Sequence, residues 1–153
     1  MRHERPDPAA DFIERMGFLC EADGLPRISG RIFGLLILEA GPFTLKEISE
    51  RLRVSRASVS TNARLLAKTG VIERVAVSGD RQDYYALGDN PGARILTGVL
   101  DRLEQTYQTL RGAEKNLPRE LDEARRRVRS FGDFYAMVTR HMKALAKDLP
   151  PAE

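Results

Sequence analysis

The sequence contains no tryptophan, one cysteine and two histidines, and it has no long apolar run. Each shortage excludes a class of protein. A single thiol, Cys20, leaves no partner for an internal disulfide and no ligand set for a Cys-rich zinc site, which fits a reducing cytoplasm. His3 and His141 stand at opposite ends of the chain, so no metal or cofactor is expected. The most apolar stretch, Ile32 to Leu38, is bounded by Arg31 and Glu39. It falls far short of the roughly 20 residues that span a bilayer, and no membrane partner is expected. The opening residues, MRHERPDPAADF, mix both charge signs without an apolar segment, so they are not expected to act as a secretory signal. Charge of one sign is also missing: the net charge is +3 over 153 residues.

What is present suits about one domain with appended helices. Hydrophobic residues make up 42% and charged residues 31%, enough for a core and against wholesale disorder. The positive charge is local. Between residues 53 and 85 lie Arg53, Arg56, Arg64, Lys68, Arg74 and Arg81 against Glu73, Asp80 and Asp83. An arginine-biased stretch suits phosphate and base-edge contacts, although a solvated face is the plainer reading of such an excess taken alone.

Hydrophobic spacing predicts a helix from Pro8 to Glu21, with Phe12, Ile13, Met16, Leu19 and Cys20 on one face. A second helix from about Ser29 to Ala40 is apolar almost all round, which predicts central burial, and Gly41-Pro42 stops it. Thr44 and Glu47 form a capping box for Leu45–Leu52, whose inward positions are Leu45, Ile48 and Leu52. Ser55 caps a further helix to Lys68, which Gly70 ends. Val71–Val77 and Asp83–Leu87 read as two strands joined by a tip at 78–82.

Beyond Pro91 the pattern is helical again: Leu96, Leu100, Leu103, Tyr107, Leu110 and Leu117 keep helical spacing, with Glu114 intruding. After Pro118 the run Leu121, Ala124, Val128, Phe131, Tyr135, Val138, Met142, Leu145 and Leu149 alternates steps of three and four, as a coiled-coil-like seam does. A helix of about 30 residues is roughly 45 Å long. Much of its seam needs another long helix, in the same chain or in a partner. A monomer with this tail would leave apolar surface exposed, and a homodimer is expected. The expected interface is Leu121, Val128, Phe131, Tyr135, Val138, Met142 and Leu145, with Phe12, Met16 and Leu19 of the first helix alongside. The expected fold class is mainly α with a small β-wing. The expected divisions are an N-terminal helix over 1–25, a winged helix-turn-helix over 26–90 and dimerisation helices over 91–153.

Helix, short turn, helix and ribbon is the layout of a winged helix-turn-helix. On the second short helix Val59, Ala63 and Leu66 share an inward arc, with Ala57, Ser60, Thr61, Arg64 and Lys68 opposite. Slender side chains let a helix approach base edges in the major groove, and an arginine can fork onto guanine. Ser55, Arg56 and Ser58 at the helix start suit phosphate. In the ribbon, Arg74, Arg81 and Gln82 complete the candidate DNA-binding set, and Arg81 at the tip suits a minor groove. The partner expected is double-stranded DNA. A winged helix used only for protein contact is the rival, and it would show an apolar or acidic outer face instead. No catalytic set emerges, since Ser55, Ser58 and Ser60 have no histidine near them.

The run TLKEISERLRVSRASVSTNARLLAKTGVIERV, from Thr44 on, resembles the DNA-binding core of MarR-type transcriptional regulators. GLPRISGRIFGLLIL and GDRQDYYAL are similar to its GbsR-like branch, and the resemblance covers about residues 10–90. It implies a dimeric winged-helix repressor or activator acting on a pseudo-palindrome. Ser58, Ser60, Thr61 and Arg64 would read the major groove, and Asp80 would hold the wing arginine, Arg81. Asn62 stands where many members carry leucine, which leaves inward packing beside Val59 and Leu66 to Ala63. The resemblance also brings up a quaternary ammonium effector, for which Tyr107, Phe131, Phe134 and Tyr135 are the candidate site, although aromatics at seam positions are more often core. Some members sense hydroperoxides through one cysteine near the N-terminus. Cys20, beside Leu19 and Glu21, reads instead as a structural thiol, with a redox-sensing repressor as the alternative.

Overall fold

A computed structural model describes residues 7–149; His3 and the first half of the opening segment read above for a secretory signal lie outside the described residues. The chain divides after Pro91 into two compact units. The first holds helices α1 (Pro8–Ala22), α2 (Arg27–Glu39), α3 (Leu45–Leu52) and α4 (Arg56–Thr69), and strands β1 (Phe43–Thr44), β2 (Ile72–Val75) and β3 (Tyr84–Leu87). The second holds α5 (Pro91–Asn116), a single 3₁₀ turn at Arg119–Leu121, and α6 (Asp122–Lys147).

Local chemistry sets most boundaries. Asp7 accepts the Ala9 N–H at 3.1 Å ahead of Pro8, a first-turn proline that lacks only a donor no helix would use. The capping box is present: Thr44 Oγ1 accepts from Glu47 N at 3.2 Å and Glu47 Oε2 accepts from Thr44 N at 2.7 Å. The Thr44 N–H and then the Thr44 hydroxyl, both donating to Glu47 Oε2, hold the Glu47 carboxyl below its usual pKa. Gly70 closes α4 at φ 74°, a left-handed cap that suits glycine. The second helix runs two residues earlier than its spacing suggested, starting directly after Pro26.

The sheet departs from expectation. It has three strands, not two, in the order β1-β3-β2, all antiparallel. Phe43 pairs with Tyr85 and Thr44 with Tyr84, so two residues too few to show a period complete it from the other side of α3. Both ribbon strands are also shorter than the apolar run implied, because Ala76 and Val77 leave the ladder for the tip.

The core of this unit joins Ile32, Leu35 and Leu36 of α2, Ile48 and Leu52 of α3, Val59, Ala63 and Leu66 of α4, and Val71, Ile72 and Tyr85. The second helix is buried on one side by that core and on another by α1, but Ile37 and Leu38 remain exposed in the described chain. Contact with α1 is made through glycines. A Cβ placed on Gly30 would lie 2.2 Å from the Met16 carbonyl oxygen, and one on Gly17 would lie 2.8 Å from Arg31 Cγ. The half-buried Cys20 packs beside Gly30. Burial, then Asp23, pushes its thiol pKa up, which disfavours the reactive thiolate.

In the second unit the expected seam divides. Gly132 and Thr139 are the buried residues of α6, flanked by half-buried Val128, Tyr135, Val138 and Met142, whereas Leu121, Phe131, Phe134 and Leu145 are exposed. Leu121 belongs to the 3₁₀ turn rather than the helix. Glu114, the intruder in the apolar spacing, is an ion-pair centre. Its carboxylate accepts from Arg129 Nε at 2.6 Å and from Arg111 Nη1 at 2.8 Å, and Arg111 Nη2 reaches Asp133 at 2.8 Å. Arg129 first, then Arg111, holds the Glu114 carboxyl below its usual pKa.

The glycine contact is testable by a matched pair. Gly30→Ala should destabilise the protein by about 1–3 kcal/mol, because overpacking outweighs the better helix propensity of alanine. Gly112→Ala, in the interior of α5 with nothing within 4 Å of the added methyl, should stabilise it by up to about 1 kcal/mol. Urea unfolding of both variants decides: equal shifts would mean that α1 does not need the notch.

Candidate nucleic-acid interface

The fourth helix presents the face that its spacing predicted. Val59, Ala63 and Leu66 are buried, and Ala57, Thr61, Arg64 and Lys68 are exposed, with Ser60 half-buried. Ser55 caps the helix by accepting Ser58 N–H at 3.1 Å, so its hydroxyl proton stays available to an incoming phosphate. The base-edge candidates are folded onto their own helix. Arg64 donates through Nη2 to Ser60 Oγ at 2.5 Å and through Nε to the Ser60 carbonyl at 3.3 Å, while Thr61 Oγ1 donates to the Ala57 carbonyl at 3.1 Å.

Asn62 corrects the sequence reading. Ala63 packs beside Val59 and Leu66 as expected, but Asn62 is itself buried, 7% exposed, and shares the inward side. Its Nδ2 donates to the Ser58 carbonyl at 2.8 Å, and its Oδ1 accepts from the fully buried Ser29 hydroxyl at 2.8 Å. A polar pair thus ties α4 to α2 where leucine would have packed. The signal was available: two unexplained polar residues, one on each helix, at positions whose neighbours are apolar.

Arg31 braces the same frame from another side. It donates through Nη2 to the Leu52 carbonyl at 2.7 Å, at the C-terminal end of α3 where positive charge is favoured. Its Nε lies 2.7 Å from Glu14 on α1, a charge contact without hydrogen-bond alignment. The turn between α3 and α4 is formed by Arg53, at φ 52°, and Val54, whose N–H donates to the Ser49 carbonyl at 3.1 Å.

The wing is closed by Asp80. Its carboxylate accepts the Gln82 N–H at 2.9 Å and the Tyr84 hydroxyl at 2.8 Å, across a turn in which Gly79 has φ 83°. The carboxylate therefore holds the turn; no bond from it to the Arg81 side chain is present, contrary to the role expected of it. Arg81 is exposed. Arg74 forms an ion pair with Asp83, which offsets its charge locally. Arg81, Gln82 and Asp83 share a small cleft with Arg56 and Leu45, so two guanidiniums 25 positions apart line one depression at the start of α4. Spacing along either element alone could not show that. The four aromatics considered as an effector site do not meet in one cavity: Tyr107 lines a cleft of the second unit, Phe134 meets Tyr135 edge-on at 5.6 Å, and Phe131 stands 62% exposed.

The buried pair yields a double-mutant test. Asn62→Ala should cost about 1–3 kcal/mol by orphaning the Ser29 hydroxyl, and Ser29→Ala should cost a comparable amount by orphaning the amide oxygen. The double variant should cost less than the sum, as measured by chemical denaturation. Strict additivity would mean that the two side chains do not bond in solution.

Residues 23–83 match the MarR family. The chain is 33% identical over 123 residues to the HTH-type transcriptional regulator MmpR5 of Mycobacterium tuberculosis (strain ATCC 25618 / H37Rv), with 75% of this chain and 74% of that protein covered. It is 30% identical over 74 residues to the HTH-type transcriptional repressor OpcR of Bacillus subtilis (strain 168), covering 48% of this chain and 40% of that one. A crystal structure of a transcriptional regulator superposes with a TM-score of 0.72 at 27% identity, over 92% of this chain and 97% of its own. Sequence, winged helix-turn-helix geometry and overall likeness converge, and the chain belongs to the MarR family of helix-turn-helix transcriptional regulators.

Proposed function

We propose that this regulator binds a pseudo-palindromic operator as a homodimer and responds to a small molecule. In this reading α4 enters the major groove, with Ser60, Thr61 and Arg64 on base edges and Ser55, Arg56 and Ser58 on phosphates. Arg81 enters the adjacent minor groove. The observation that carries it is the cleft shared by Arg56 and Arg81, which sets the wing cation beside the start of the helix that presents Ser60, Thr61 and Arg64. One strand of phosphates can meet both. Two-fold symmetry sets half-sites about 10 base pairs apart, or a multiple.

The dimer rests on the exposed apolar side of α6: Phe131, Phe134 and Leu145 face solvent, which a long amphipathic helix does not sustain alone. Phe12, Met16 and Leu19 of α1 belong to the same proposal, Leu19 being 61% exposed. Membership of the GbsR-like branch rests on GLPRISGRIFGLLIL, whose Gly30 and Gly34 are the residues that let α1 approach α2.

Base readout is tested on a selected site. Arg64→Ala should cost about 1–3 kcal/mol there and relax preference at one or two positions. Arg81→Ala should weaken binding about tenfold, or about 1.4 kcal/mol. It should also flatten the plot of log affinity against log salt by about one unit per wing. An unchanged salt slope for Arg81→Ala would remove the wing from the interface.

The dimer is tested by sedimentation at micromolar concentration. The wild type should sediment as a dimer, and Phe131→Asp should not, since it places a charge in the seam. A monomeric wild type overturns this part of the proposal.

A further inference from the structure

Arg64 stands exposed on the outer face of α4, yet its side chain is already held there. Nη2 donates to the Ser60 hydroxyl oxygen at 2.5 Å, and Nε donates to the Ser60 carbonyl at 3.3 Å. Ser60 is half-buried and lies one turn earlier on the same face, so the helix fixes both oxygens. The kind of partner differs from that of other arginines in this chain. Arg15, Arg126 and Arg127 also meet a side chain four residues earlier, and each time it is a carboxylate: Asp11, Asp122 and Glu123. Arg64 meets a neutral hydroxyl, and no carboxylate lies within ion-pair range of it among the described residues. A carboxylate at position 60 would hold the guanidinium equally well, but it would offset the charge and repel a phosphate backbone. Serine orients the cation and leaves its charge whole.

The two bonds also decide which edge of the guanidinium is left. Nε–H and the adjoining Nη2–H form one two-donor edge, and Ser60 occupies it. Nη1–H and the second Nη2–H form the other, a parallel pair at the tip of the side chain. In the major groove guanine offers two acceptors side by side, N7 and O6. Adenine sets an acceptor beside a donor, and neither pyrimidine offers a pair of acceptors. An arginine fixed by its side edge is matched end-on to guanine before DNA arrives. The rotamer freedom that binding would otherwise remove has been given up in the free protein. We propose that Ser60 is a positioning residue for base readout: it aims the tip of Arg64 at a guanine and does not itself touch a base. The proposal rests on α4 being the recognition helix, and it narrows the part given to Ser60 above from direct contact to orientation.

The probe is the duplex that the wild-type chain enriches most from a random library, with its single-base variants. Arg64→Ala should relax one base pair per half-site, and that pair should hold a guanine. Ser60→Ala should relax the same pair and weaken the enriched duplex about fivefold, yet add nothing in an Arg64→Ala background. Alanine favours the helix, so the unfolding midpoint of Ser60→Ala should hold or rise, and its loss of binding does not come through folding. Replacing that guanine by 7-deazaguanine, which lacks the N7 acceptor, should weaken the wild type about tenfold and Arg64→Ala not at all. In the DNA-free protein, NMR relaxation should show an ordered Arg64 Nε–H that loses its order in Ser60→Ala. Relaxation of a different base pair by Ser60→Ala, or a further loss in the Arg64→Ala background, would make Ser60 a direct contact and overturn the proposal. Equal Arg64 order in both proteins overturns it too, as does unchanged or tighter binding by Ser60→Ala while Arg64→Ala loses the guanine. A wild type that enriches no motif, or a motif untouched by Arg64→Ala, removes the recognition-helix reading itself, and only then do both fail together.

Discussion

Helix α2 is held on two sides at once, and the pose of the recognition helix follows from that. Toward α1 it offers Gly30 and Gly34, with Gly17 opposite, so the two backbones approach closer than any side chain would allow. Toward α4 it offers Ile32, Leu35 and Leu36 to the common core and the Ser29 hydroxyl to Asn62. Apolar packing alone would permit α4 to slide or roll by a fraction of a turn, because dispersion is non-directional. A buried hydrogen bond does not permit it. The net energy of such a bond is modest, about 1 kcal/mol, but leaving either partner unpaired costs more, and that asymmetry fixes one register.

The second unit uses charge for a similar purpose. Glu114 gathers Arg111 and Arg129, and Arg111 reaches on to Asp133, with its guanidinium beside Gly132. Glu114 is well covered, with 16% of its side chain exposed, whereas the i,i+4 pairs of Arg126 with Asp122 and Arg127 with Glu123 lie largely in solvent. The solvent pairs contribute little. Glu114 and Arg111 are the covered members of the cluster, and they tie α5 to α6 through Arg129 and Asp133, which are largely exposed.

Much of this was legible in the sequence because the signals are local. Thr44 with Glu47, Ser55 and Gly70 each act within a few residues, and each stands where its chemistry placed it. The inward arc of Val59, Ala63 and Leu66 needed only the helical period. What was not legible depends on which distant segment arrives. Phe43 and Thr44 become a strand only because Tyr84 and Tyr85 come alongside. Asn62 looked like a defect until Ser29, 33 positions away, supplied its partner. The α6 seam carried a related ambiguity. A spacing of three and four says that a stripe is covered, but it does not divide that stripe between a neighbour in the chain and something beyond it, and here half-buried Val138 and exposed Phe131 fall on opposite sides of the division.

The closed wing turn has a consequence in protons. Asp80 accepts from Gln82 and Tyr84, and these bonds lower its pKa, while the same contact raises that of Tyr84. A depressed carboxylate contributes its share of order above its ordinary range and loses it only as the pH falls through the lowered value. A raised phenol keeps its proton, and so its donor, to higher pH than usual. The two groups therefore move apart in titration, and neither changes state across the whole interval between ordinary carboxylates and ordinary phenols. Within that interval the two bonds that close the turn carrying Arg81 keep both their acceptor and their donors.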